Sequence, residues 1–111
     1  MKHWQCSAKA VGLFLLISCA IVTAAAAQQV TVMGAGADAN CGKWLSERQQ
    51  RDFLDMGSWA LGYLSGVAMW SDEYDPLDGQ NADAAWGWLD NYCRAHPTTE
   101  FVDAVDAFAQ K

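Results

Sequence analysis

The stretch "GSWALGYLSGVAMWS", residues 57–71, decides how the rest of the chain is read. It has no charged residue, two tryptophans and one tyrosine, and it places small side chains four apart at Ser58, Gly62 and Gly66. A helix that crosses a bilayer needs about 20 apolar residues. The uncharged window, residues 56–71, is 16 residues long and contains three serines and three glycines. It therefore reads as the buried helix of a small folded domain, over about residues 53–70. Glycine inside a helix costs about 1 kcal/mol relative to alanine. The spacing predicts that Ser58, Gly62 and Gly66 form a groove where a second helix approaches closely, so that dispersion contacts offset that cost. Trp59, Tyr63 and Trp70 are expected to form an aromatic ridge beside it.

Toward the N-terminus the composition changes. Lys2 and Lys9 precede the apolar run "AVGLFLLISCAIV" (residues 10–22), and the small residues of "TAAAAQQ" follow. This is the layout of a secretory signal peptide, cut after Ala27. An uncleaved anchor fits less well, because the run is short and ends in a processing site. "LISC" (residues 16–19) resembles a lipoprotein box with Cys19 as the acylated residue, and it stands as the minor alternative. Residues 28–40 have no helical period and read as a flexible leader, with "VTVM" (residues 30–33) able to form a short edge strand. The helical domain is residues 41–111.

After that cut, five basic residues face all thirteen acids, a net charge of −8. Nucleic acid and anionic lipid both require a basic face, so neither is an expected partner. The charge suits a neutral or basic protein. Cys41 and Cys93 are the two cysteines left, and in a small exported domain two cysteines are expected to pair. Closing so long a loop is worth about 4 kcal/mol in the chain-entropy model. A metal pair is the alternative, although two cysteines and one distant histidine do not form a zinc spacing.

Three further helices surround the central one. Asn40 or Asp38 can cap the first, "CGKWLSERQQRD", in which Glu47 and Arg51 are i,i+4 partners. "SDEYDPLDGQN" (residues 71–81) is a turn-rich acidic connector. In "NADAAWGWLDNYCRAH", Ala82, Trp86, Leu89 and Cys93 share a face and Trp88 lies off it. Pro97 ends that helix and Thr98 can cap the fourth, "TEFVDAVDAFAQK". There Phe101, Val105 and Phe108 face the core, and Asp103, Asp106 and Gln110 face water. The fold class is all-α, a small four-helix domain with one disulfide.

Little in the chain suggests reaction chemistry. Placing Gly79 at the glycine of a calcium loop puts Tyr74 and Pro76 where acidic ligands belong, so the connector reads as a solvated acidic loop. His96 has no neighbouring nucleophile or orienting carboxylate and reads as a helix C-terminal residue. There is no phosphate loop or nucleophile elbow. The chain is read as a non-enzyme with no cofactor, and its candidate partner surface is Trp88 and Tyr92 with Asp72, Glu73 and Asp75.

"CGKWL", "WALGYLSG", "WLDNYC" and "HPTTEFVDAV" together resemble the HdeA/HdeB-like family of small periplasmic helical proteins. The resemblance covers about residues 41–108. It implies a periplasmic location, a compact all-α fold and a disulfide joining the start of the first helix to the third, which are the positions of Cys41 and Cys93. The best-known members are acid-stress chaperones that open at low pH and hold unfolded clients. Related small helical proteins are periplasmic immunity proteins against cell-wall amidases delivered by type VI secretion. Acid chemistry is compatible with the first role. Protonating thirteen carboxylates swings the charge from −8 toward about +7, and self-repulsion then opposes compactness. The alternative is a dedicated binding protein, such as an immunity protein, that engages one partner.

Overall fold

The computed structural model describes residues 29–111. The expected signal peptide, its cut after Ala27 and the Cys19 lipoprotein box lie outside the described residues. Four helices follow one another: α1 (Cys41–Gln50), α2 (Leu54–Trp70), α3 (Ala82–Ala95) and α4 (Phe101–Ala109). α1 packs on α3 and α4, and α2 packs on α4 and α3. No β-strand forms among the described residues, and the leader's "VTVM" has no regular secondary structure, with Val30 and Met33 exposed.

Local chemistry sets the helix ends. The Asn40 side chain accepts from the Lys43 amide at 2.8 Å and starts α1. Asn81 does the same for α3, accepting from the Ala84 amide at 2.8 Å. α1 stops where Arg51 turns left-handed at φ 61°; its amide donates to the Arg48 carbonyl and the Asp52 amide donates to that of Glu47. Leaving the helix there removes Arg51 from Glu47, which pairs with Lys43 one turn earlier instead. α4 begins at Phe101, later than a Thr98 cap implies, and Glu100 precedes it with no side-chain cap.

The start of α4 is secured by a backbone clip. The Phe101 amide donates to Ala39 O and the Cys41 amide to Thr99 O, each at 2.8 Å. Cys41 and Cys93 are disulfide-bonded with their Cα atoms 4.9 Å apart. The start of α1, the end of α3 and the start of α4 thus meet at one stitched end. The core is built on Trp44, Met56, Leu64, Leu89, Phe101, Val105 and Phe108, all essentially inaccessible to water. Trp44 stacks on Phe101 with ring centres 5.0 Å apart.

Two expectations are overturned in this packing. The buried side of α2 carries Met56, Gly57, Ala60 and Leu64, while Ser58 and Gly62 are exposed and Gly66 is half-buried. A methyl group added at Gly62 or Gly66 would meet nothing within 4 Å. Bulky side chains, not small ones, fill the space above α4, so the Ser58–Gly62–Gly66 stripe turns outward. The tight glycine is Gly57, where a Cβ would sit 2.9 Å from Trp86 Nε1 and 3.2 Å from Phe53 Cδ2. The leader is likewise not free chain along its whole length. Gly36 and Ala39 are buried, and the Trp59 indole donates to Met33 O at 2.7 Å. A Cβ on Gly34, which holds φ 118°, or on Gly36 would fall within 2.5 Å of the Trp59 ring, so only glycine lets the backbone lie against the indole.

Candidate functional site

The candidate residues divide among separate places. Trp88, Tyr92 and His96 stack along α3: Trp88 and Tyr92 have centroids 5.3 Å apart, Tyr92 and His96 4.2 Å. Trp88 also meets Phe108 edge-on at 5.2 Å. Trp88 and Tyr92 are half-buried and packed against the core, so most of their apolar surface is already covered by the fold. Nδ1 of His96 lies 2.9 Å from the Tyr92 carbonyl, an acceptor, so that nitrogen carries the proton. The ring closes the end of α3.

Asp72, Glu73 and Asp75 lie elsewhere. With Asp78 they line an open cleft of about 600 Å³ that also takes in Tyr74 and Lys111. Asp75 Oδ1 accepts from the Leu77 amide at 2.9 Å, and Gly79 holds φ 74°, so the connector is an ordered turn. Lys111 lines the same cleft, with its ammonium 4.3 Å from the centre of the Phe108 ring.

The tryptophan exposed in this region is Trp70. α2 runs past the helices that support it, and its last two residues, Met69 and Trp70, are 79% and 88% exposed. Tyr74, 40% exposed, lies four residues on. Helical spacing had assigned Trp70 to the aromatic ridge; Trp59 and Tyr63 do meet, with centroids 5.4 Å apart, but Trp70 does not join them. The legible signal was position: the final residue of an apolar helix, followed at once by an acidic turn, has no neighbour to bury it. From Ser58 to Met69 the outward side of α2 carries no charge.

A second group of residues escaped the sequence reading altogether. Asp90 on α3 accepts from Trp44 Nε1 at 2.9 Å, and from Arg48 Nε and Nη2 at 2.9 and 2.7 Å. The hydrogen bond to Asp90 raises the Arg48 pKa above the ordinary guanidinium value despite partial burial. Across the domain, the Tyr63 hydroxyl donates to Asp106 at 2.8 Å, so Asp106 does not simply face water. Burial, then this hydrogen bond, pushes the Tyr63 phenol up to about 12. These polar joints link α1 to α3 and α2 to α4. Nothing in local spacing pairs residue 48 with residue 90.

No family model matches the chain, and no curated protein or solved structure matches it either.

Proposed function

We propose that this chain is a small exported binding protein that engages a folded protein partner through the end of α2 and the acidic connector. The observation that carries this reading is Trp70, 88% exposed in an otherwise well-packed domain. A tryptophan left in water contributes little to the fold, and it is among the strongest anchors when a partner's pocket closes over it. Met69 beside it in the chain is also exposed, and the acidic connector with Asp72, Glu73, Asp75 and Asp78 follows directly after Trp70. Such a surface fits an apolar pocket rimmed by lysine or arginine, with the carboxylates speeding encounter and selecting orientation. This is the dedicated-binder role, of which the periplasmic immunity proteins related to the HdeA/HdeB-like family are an example. The test is capture from a periplasmic extract at pH 7, followed by affinity measurement on the purified partner. Trp70→Ser should weaken binding by about a hundredfold, the scale of a hot-spot anchor, without lowering stability. Equal affinity of the wild type and Trp70→Ser for that partner would overturn the reading.

The acid-stress chaperone is the second reading, and the Asp90 joint favours it. Asp90 ties α3 to Arg48 of α1, and were that joint to open, the Cys41–Cys93 bond would still tether the two helices. Suppression of client aggregation at pH 2–3, absent at pH 7, would support this role. Clients that aggregate in acid as fast with the protein as without it would rule it out.

A further inference from the structure

The chain carries more than twice as many acids as bases after residue 28, yet three of its five cations there meet in one cleft. Arg48, Arg51 and Arg94 line an open space of about 730 Å³ at the N-terminal end of α2, with Phe53 and Leu45 as apolar walls and Asp90 as the one lining carboxylate among the described residues. Gathering like charges is unfavourable unless something offsets it. Asp90 is already committed, since it takes two guanidinium nitrogens of Arg48 and the Trp44 indole. The remaining two arginines have no carboxylate within ion-pair distance among the described residues. Arg94 donates only to the Asn91 side-chain oxygen, at 2.7 Å.

The cleft is also built on fixed parts. The Arg48 guanidinium is held by two nitrogens on Asp90 and lies 4.4 Å from the centre of the Phe53 ring. Arg51 sits at the left-handed turn that ends α1, its backbone position secured by the hydrogen bond its amide donates to Arg48 O at 3.2 Å. Phe53 is pinned in turn, edge-on to Trp44 at 5.9 Å and to Trp86 at 5.1 Å. A guanidinium fork matches a planar carboxylate in shape and charge, and the Phe53–Leu45 wall offers contact to an apolar side chain beside it.

We propose that this cleft binds a carboxylate carried on an apolar peptide segment, with Arg51 and Arg94 as the ligand-binding cations and Arg48 as the preset wall. The carboxylate can be a chain terminus or an acidic side chain, and the chemistry of recognition is shared. The cleft and Trp70 lie at opposite ends of the 17-residue α2, so this site stands or falls independently of the partner surface proposed above.

The test is calorimetric titration of the mature protein with three acetylated tripeptides: Ala-Leu-Phe with a free C-terminus, the same peptide as its amide, and an Ala-Glu-Phe amide. At least one of the two carboxylate-bearing peptides should bind at least about tenfold more tightly than the Ala-Leu-Phe amide, and moderate salt should weaken it. Binding of the Glu peptide alone would assign the site to side-chain carboxylates; binding of the free acid alone would assign it to chain termini. Arg51→Gln and Arg94→Gln, both at exposed positions, should each cost about fivefold or more with unchanged thermal midpoints. Equal binding of the acid and both amides, unchanged affinity in the double variant, or no heat from any peptide up to about 5 mM would overturn the proposal.

Discussion

The indole nitrogen of Trp44 and the carboxylate of Asp90 meet at 2.9 Å across the contact between α1 and α3. Trp44 is fully buried, so Asp90 supplies the acceptor that its N–H could not find in water. Asp90→Ala should cost about 2–3 kcal/mol in urea denaturation, because it strands a buried donor and unpairs Arg48. Asp90→Asn keeps an oxygen for the indole and should cost less. Equal losses in the two variants would show that the charge, not the indole acceptor, matters at this joint.

The glycines of α2 should respond in opposite directions. Gly57→Ala places a methyl group 2.9 Å from Trp86 Nε1, whose N–H donates to the Gly57 carbonyl at 3.0 Å. Overpacking there should cost about 1–3 kcal/mol. Gly62→Ala meets open space and should gain about 0.5–1 kcal/mol from helix propensity. Thermal midpoints of the two variants decide the matter, and a loss at Gly62 would show that this position does not face open space.

Reducing Cys41–Cys93 releases a loop spanning 52 positions. Loss of that constraint on the unfolded chain should cost about 4 kcal/mol. Denaturation with and without reductant measures it. A difference below about 1 kcal/mol would show that the backbone clip between Ala39 and Phe101 holds the same end unaided.

Tyr63 gives the fold an alkaline limit. Its folded pKa stands at about 12, above the ordinary 10, so the folded state keeps a proton that the unfolded state releases first. The contribution is complete below pH 10 and is lost as pH rises through the folded value. Stability should therefore fall between about pH 10 and 12 more steeply than in Tyr63→Phe, which has no phenol there to titrate. Parallel slopes in the two proteins would remove Tyr63 from the account.

Much of the fold was written locally. The four helices, a cap for α1 at Asn40 or Asp38 (the structure uses Asn40), and the core positions Phe101, Val105 and Phe108 follow from period and capping, which act within a few residues. The pairing of Cys41 with Cys93 was expected from cysteine count and from the signal-peptide reading, and the structure shows it. The face that α2 buries did not follow, because that helix is apolar or small on nearly every side and its period gives little direction. Only the surfaces of α3 and α4 decide between the Met56–Ala60–Leu64 stripe and the Ser58–Gly62–Gly66 stripe, and the larger side chains fill that space better. Sizes were legible in retrospect; the shape they had to fill was not. The Asp90 joint, the three-arginine cleft and the open end of α2 at Trp70 likewise join or separate residues far apart in the chain. Such relations depend on how helices are set against one another, and no local pattern encodes them.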